Sequence, residues 1–138
     1  MNSLRKSSAR LVFVPFLLLG SLAFAQKDKK TSGPRLEIQP LEHDFGSLPQ
    51  NEKVVHEFSI LNTGTEELEI RRISTSCGCT AALTSDRSVP PGGTTTLKVT
   101  LETRKYRGAI ERSVSIASND SRRVHTVKVR AFVESAQP

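Results

Sequence analysis

Both cysteines of this 138-residue chain lie in one short segment, Ser76-Cys77-Gly78-Cys79-Thr80. In an extended strand, residues i and i+2 point to the same side with their Cα atoms about 7 Å apart, near the upper limit for a disulfide. Gly78 allows the backbone to bend and shorten that distance. A bridge across so small a loop adds only about 1.6 kcal/mol of stability. Redox function or thiol protection therefore explains such a bridge better than reinforcement of the fold.

Three other interpretations of the cysteine pair stay open. Two thiolates suit Cu(I), with His56 as a candidate third ligand, whereas two cysteines are an incomplete set for Zn²⁺. The thiols could instead link the protein covalently to another chain or to a heterogroup, or be small buried residues beside a tight turn. Arg71 and Arg72 lie just upstream, and nearby positive charge favours the thiolate. This charge favours the chemical interpretations over the structural one.

No sequence pattern of a conventional enzyme accompanies the cysteines. The chain shows no nucleophile elbow, metalloprotease helix or phosphate loop. The triplet Asp44-Phe45-Gly46 also occurs in the magnesium loop of protein kinases, but the other kinase motifs are missing and the chain is too short. We expect Phe45 to enter the core and Gly46 to let the first strand bend across the sheets. The sequence thus favours a non-enzymatic protein, with thiol redox activity as the alternative.

The histidines and basic clusters fit structural roles. His56 has the parity of the apolar residues of its strand, which predicts a place near the rim or a hydrogen-bonded place in the core. We expect His43 to be exposed and His125 to lie at the edge of its strand. The chain has one Tyr and no Trp to accompany its Arg and Lys clusters. Because nucleic-acid binders combine basic patches with stacking aromatics, we expect no nucleic-acid partner.

Residues 1–25 have the order of a secretory signal peptide. A basic start precedes the apolar run LVFVPFLLLG, and Ala23-Phe24-Ala25 provides the cleavage pattern. This order predicts cleavage before Gln26 and export, with no membrane span in the mature protein; an uncleaved N-terminal anchor is the alternative. Removing the three basic residues of the leader leaves 17 basic and 14 acidic residues, so the formal charge falls from +6 to +3. Residues 26–34 are predicted to form a flexible spacer, and residues 35–138 one domain.

Apolar residues alternate with polar ones along most of the domain, which predicts strands with one dry face. The predicted dry faces consist of Leu36 and Ile38; Val54, Phe58 and Ile60; Leu68 and Ile70; Leu97, Val99 and Leu101; Ile110, Val114 and Ile116; and Val127, Val129, Ala131 and Val133. Arg112 and Phe132 do not fit this pattern.

Turn-forming residues separate the predicted strands. In Asn62-Thr63-Gly64, Asn and Gly tolerate a positive φ, and the Asn side chain can bond local backbone. Pro91 and Gly92, in the segment PPGG, disfavour both helix and ladder. No stretch shows a sustained helical period. The sequence predicts an all-β, immunoglobulin-like antiparallel β-sandwich.

The ordered set HDFG, FSILNTG, SCGCT and PPGG resembles the bacterial family called domain of unknown function 1573, over about Leu36 to Glu134. The resemblance implies export and an immunoglobulin-like fold related to Hydin and major sperm protein domains. It also implies that Cys77 and Cys79 match the family's Cys-Gly-Cys motif. We therefore expect a periplasmic or extracellular bacterial module that binds a protein or cell-envelope partner through loops or a sheet edge. We expect no cofactor, apart from the copper ion of the alternative above.

Overall fold

Strands make up most of the part of the chain that the computed structural model describes, residues 32–104 and 106–135. They are β1 (Leu36–Ile38), β2 (Glu42–Leu48), β3 (Lys53–Asn62), β4 (Leu68–Thr75), β5 (Thr80–Thr84), β6 (Ser88–Val89), β7 (Thr94–Glu102), β8 (Gly108–Ser118) and β9 (Val124–Val133). Within those ranges no helix is long and apolar enough to cross a bilayer. The predicted signal peptide and the spacer up to residue 31 lie outside the described residues.

The strands form two sheets that pack face to face. One sheet has the order β1-β3-β7-β5, and the other β2-β9-β8-β4-β6. The predicted all-β, immunoglobulin-like sandwich is confirmed. The expectation of purely antiparallel pairing needs one correction, because β2 runs parallel to β9. The chain passes from one sheet to the other between β1 and β2, and so β2 joins the second sheet beside the distant last strand.

The dry faces predicted from alternation form the core between the sheets. Phe58, Ile60, Leu97, Val99 and Val129 are each at most 2% exposed. Successive side chains of a strand point to opposite faces, so a two-residue period places every second residue in the core. Burying a side chain of this size contributes roughly 1.5–3 kcal/mol. Phe132 lies on the wet face of β9 and is 53% exposed, which nothing in the structure explains.

Gly46 marks a bulge in β2 and not the predicted bend between sheets. The pairing of β2 with β9 shifts register between Asp44 and Ser47, and Gly46 has a φ of 71° there. The Asp44 carboxylate accepts a hydrogen bond from the Gly46 N–H at 2.8 Å, which closes the bulge locally. Phe45 is partly buried against the core, as expected. The crossing between sheets comes earlier, in residues 39–41, because β1 already belongs to the other sheet.

Asn62 ends β3 and organises the turn that follows. Its side chain is fully buried; its oxygen accepts hydrogen bonds from the Arg35 and Gly64 N–H groups, and its amide donates to the Glu66 and Val89 carbonyls. The bonds to Gly64 and Glu66 are to local backbone, but neither Asn62 nor Gly64 has a positive φ. Gly64 is required because a Cβ there would collide with the Gly33 carbonyl oxygen and lie 2.6 Å from the Arg35 nitrogen.

The PPGG segment forms the predicted turn before β7. Gly92 has a φ of 75°, and its N–H donates to the Asn62 carbonyl at 2.8 Å. Pro91 is exposed within the same turn. This turn therefore closes against the end of β3.

Candidate functional site at the bridge end of the sandwich

The cysteine segment carries the chain from one sheet to the other. β4 ends at Thr75 in the five-stranded sheet and β5 begins at Thr80 in the four-stranded one. Between them the structure joins Cys77 and Cys79 by a disulfide, with their Cα atoms 5.3 Å apart. The Thr80 N–H donates to the Cys77 carbonyl at 3.1 Å, so the segment is a tight turn and not an extended strand. The turn shortens the Cα separation to within the range of a bridge.

The two sulfurs have different surroundings. Cys79 is 5% exposed, whereas Cys77 is only partly buried. The Cys77 Sγ lies 3.5 Å from the Tyr106 hydroxyl and accepts the Cys79 N–H at 3.2 Å. The Cys79 Sγ accepts a hydrogen bond from the Nε–H of Arg112 at 3.2 Å. The sulfur of the partly buried Cys77 therefore faces a phenol hydroxyl, and the sulfur of the buried Cys79 faces a cation.

Arg112 reaches the bridge because it points inward from β8. It pairs with Val129 in the register and has the parity of the buried residues Ile110 and Val114. Its guanidinium lies 4.9 Å from the centre of the Tyr106 ring and also donates to the Glu111 carbonyl at 2.8 Å. A charged group on an inner face needs such partners. These contacts explain why a charged residue interrupts the apolar pattern of β8. We call the group formed by Cys77, Cys79, Tyr106 and Arg112 the bridge end.

Tyr106 is held by the connection between β7 and β8. Its N–H donates to the Thr103 carbonyl at 2.9 Å, and its carbonyl accepts the Gln50 side-chain amide at 3.0 Å. Thr103 is fully buried, and its hydroxyl donates to the Pro49 carbonyl at 2.8 Å. Tyr106 and Arg112 were not predicted as site residues. The inward parity of Arg112 was the one sequence signal that could have found them.

His56 does not join the cysteines. Its ring stacks on that of His43, with centroids 3.5 Å apart, and meets Phe58 edge-on. Burial lowers the pKa of His56, and the charge of His43 lowers it further. His43 is half-buried by this stack, so its predicted exposure is wrong. Among the described residues no three His, Cys, Asp or Glu side chains gather as a metal site, which leaves the copper hypothesis with the two sulfurs alone.

Polar side chains at the opposite end of the sandwich hold the fold. Asp120 and His125 are buried, and the Asp120 carboxylate lies 2.8 Å from His125 Nε2. The carboxylate also accepts the Leu36 N–H at 3.1 Å and the Arg123 N–H at 2.9 Å. Burial opposes its charged form, but the hydrogen bonds from Leu36, His125 and Arg123 outweigh it and lower the pKa of Asp120. We call Asn62, Asp120 and His125 the network end.

The four strands at the sheet edges differ in how they are protected. β1 has three residues between Pro34 and Pro40, and β6 has two residues before Pro90. β2 carries Glu42, Asp44 and the bulge. Short length, charge, Pro and bulges all hinder pairing with another strand. β5 has the sequence TAALT, so of the four edge strands it is the one without charge, Pro or bulge. The parts of β3 and β4 that extend past the short strands β1 and β6 carry charged side chains, among them Glu57 and Arg72.

The register of β5 shows which groups face outward. The hydrogen bonds from Glu102 N–H to the Cys79 carbonyl and from Ser85 N–H to the Thr96 carbonyl place the odd-numbered residues in bonded pairs with β7. Hydrogen-bonded and non-bonded pairs alternate in an antiparallel ladder, so Ala82 and Thr84 direct their backbone groups away from β7. Leu83 is 71% exposed on the outer face beside this edge.

Two β-sheets that pack face to face, with the chain crossing from one to the other, define an immunoglobulin-like β-sandwich domain. This chain belongs to the family described as protein of unknown function (DUF1573), which matches residues 36–133. The family resemblance seen in the sequence is thereby confirmed. None of the curated proteins matches this chain in sequence.

Solved structures share the fold at low sequence identity. A protein of unknown function from Porphyromonas gingivalis W83 is 22% identical, with a TM-score of 0.64 over 75% of this chain and 48% of its own. This chain thus spans about half the length of that protein. The ASH / PapD-like domain of human CEP192 is 12% identical, with a TM-score of 0.60 over 96% of this chain and 100% of its own. At such identities the likeness shows the fold alone.

Proposed function

We propose that this protein is an exported, non-enzymatic interaction module that binds an extended segment of a partner protein along β5. The observation that carries the proposal is the contrast between β5 and the three protected edges. An extended segment can add to an exposed sheet edge through main-chain hydrogen bonds, while pockets or exposed side chains beside the edge add specificity. Ala82 and Thr84 offer the outward backbone groups, and Leu83 offers an apolar contact next to them.

Export is supported by the signal-like order of residues 1–25, and it places the module in the periplasm or outside the cell. The test is the intact mass of the protein recovered from the bacterium that encodes it. Export predicts a mature chain that begins at Gln26 outside the cytosol. Recovery of the uncleaved chain from the cytosol would contradict the proposal.

Binding along β5 is tested by photo-crosslinking in the exporting bacterium. A photoreactive amino acid replaces Leu83 in one variant and, as the matched control, Ser59 in another. Ser59 is also exposed on the outer face of this sheet, but β7 separates its strand β3 from β5. We expect a discrete protein adduct from position 83 and little from position 59. Equal adducts, no adduct, or an adduct with a second copy of this chain would contradict the proposal.

The same experiment includes a change in the backbone of β5. Ala82→Pro removes the outward N–H without removing a ladder hydrogen bond, which an edge strand tolerates. We expect the adduct to disappear in Ala82→Pro and to persist in Ala82→Ser, which keeps the N–H. The thermal unfolding midpoint of each variant checks that the sandwich is intact. An adduct that persists in a folded Ala82→Pro protein would rule out strand addition.

A further inference from the structure

We infer that the Cys77–Cys79 bridge is an oxidant of partner thiols, with Cys77 as the sulfur that is attacked and Cys79 as the leaving sulfur stabilised by Arg112. This activity goes beyond binding and does not depend on β5. The inference comes from the unequal surroundings of the two sulfurs. Cys77 is partly exposed, Cys79 is 5% exposed, and the Arg112 Nε–H contacts the Cys79 Sγ at 3.2 Å.

Access decides which sulfur an incoming thiolate reaches. Thiol–disulfide exchange begins with attack of a thiolate on one sulfur of the bridge, so its rate depends on access to that sulfur. Cys77 is partly exposed and adjoins the exposed Gly78, whereas Cys79 is buried, with the Thr80 hydroxyl 3.8 Å from its Sγ. The accessible target is therefore Cys77.

Charge decides which sulfur leaves readily. A sulfur that departs as a thiolate gains more from a neighbouring cation than the same sulfur in a neutral disulfide. Arg112 occupies this position at Cys79, and its guanidinium is fixed by the Tyr106 ring and the Glu111 carbonyl. The Tyr106 hydroxyl at Cys77 brings no charge. Access and charge thus favour the same direction of exchange.

The reaction requires a partner that carries two thiols, and its electrons balance as follows. A partner thiolate attacks the Cys77 Sγ, an S–S bond forms between them, and the Cys77–Cys79 bond breaks with its electron pair on the Cys79 Sγ. The second partner thiol, as a thiolate, then attacks the partner sulfur of the mixed disulfide and releases Cys77. Cys77 takes up a proton from water, and Cys79 is held as a thiolate or protonated. The partner dithiol is oxidised by two electrons, and the bridge is reduced by the same two.

Glutathione is the probe that tests which sulfur reacts. In the mature exported protein, Cys79→Ser leaves Cys77 alone, and Cys77→Ser leaves Cys79 alone. Each lone thiol is first converted to its mixed disulfide with thionitrobenzoate, and reduced glutathione is added. We expect attack on the protein sulfur, seen as thionitrobenzoate release and a glutathione adduct by intact mass, to be rapid at Cys77 and slow at Cys79. Faster attack at Cys79, or equal attack at the two, would overturn the assignment of the attacked sulfur.

Reduction of the intact bridge by reduced glutathione tests the role of Arg112. We expect Arg112→Gln to slow reduction about tenfold, as loss of a stabilised leaving thiolate predicts. Arg112→Lys should recover part of the rate because it keeps the charge, and Arg72→Gln is the control that removes an exposed charge elsewhere. Equal rates in all four proteins would overturn the inference.

A purely structural role of Arg112 is separated by a spectroscopic readout. In the reduced protein, the ultraviolet absorbance of the thiolate should persist to lower pH in the wild type and in Arg112→Lys than in Arg112→Gln. A change that acted only through packing would lower the unfolding midpoint without moving this titration. If the titration is the same in folded wild type and Arg112→Gln, the inference is wrong.

Discussion

At the network end, Asn62 and Asp120 direct their polar atoms to backbone groups of the loops, whereas at the bridge end Arg112 directs its Nε–H to a sulfur. The first arrangement joins segments distant in sequence, since Asp120 bonds Leu36, and its side chains are buried. The second surrounds a bridge that spans two residues of sequence and lies partly in solvent. The comparison indicates that the network end maintains the fold, whereas the bridge end is where we propose thiol exchange.

The largest effect should come from Asn62→Ala at the network end. It removes four hydrogen bonds and leaves the buried backbone groups of Gly64 and Val89 without that partner. We expect the free energy of unfolding to fall by roughly 3 kcal/mol, because each unsatisfied buried polar group is costly. Denaturant unfolding measures it. If the loss is smaller than that of the double cysteine variant, the bridge end contributes more to stability than the network end, which contradicts the comparison.

Asp120→Asn should have the next largest effect, a loss of about 2 kcal/mol at neutral pH. The pKa of Asp120 is lowered from its ordinary 3.8 in the folded protein. Its contribution is therefore fully present above pH 3.8 and is lost as pH falls through the lower, folded pKa. The variant should lack this part of the acid dependence. Asp86→Asn is the matched control, since Asp86 is exposed and bonds the Thr95 hydroxyl through its backbone N–H and carbonyl.

The double change Cys77→Ser and Cys79→Ser should cost less than either substitution at the network end. Loop entropy limits the loss to about 1.6 kcal/mol. Thiol exchange should disappear, while unfolding stays cooperative. Calorimetry of this variant and of Asn62→Ala compares the stability that the two ends contribute. If the cysteine variant fails to fold, the bridge is a structural element and the account of the bridge end is wrong.

The smallest effect should come from the histidine stack between the two ends. The lowered pKa of His56 means that the folded state favours its neutral form. Stability from this source is full above pH 6.5 and falls as pH drops below it. We expect a loss of less than about 1 kcal/mol, which His56→Phe should abolish. An unfolding series across this pH range measures it, and an unchanged slope in the variant would contradict it.

Alternation in the sequence was enough to place the core residues, because each strand has one dry face and the period of two assigns it. Alternation could not predict the parallel pairing of β2 with β9, because those strands are distant in sequence. The pattern of apolar residues also does not show where the chain crosses from one sheet to the other. The same limit applies to the bridge end. Arg112 stands out of the pattern by itself, but its partners Cys79 and Tyr106 are identified only when β5, β7 and β8 come together.

Asp120 and Gly64 show two further limits. Asp120 lies in a turn-rich segment, where a polar residue is expected to be solvated, yet it binds the start of β1 and His125. Gly64 was expected from its residue type to supply a positive φ, but it is needed for the close approach of the segment at Gly33 and Arg35. The residue type predicts that a turn forms. The segment that packs against the turn decides which residue types fit there.

The most direct test of the comparison is to reduce the bridge in the folded protein. The mature protein is treated with reduced glutathione and an alkylating reagent, its mass is measured, and its amide hydrogen exchange is followed residue by residue. We predict that two alkyl groups are added only after reduction and that exchange protection at Asn62, Asp120 and His125 is unchanged. Two thiols that alkylate without reductant, or loss of protection at the network end on reduction, would contradict the account.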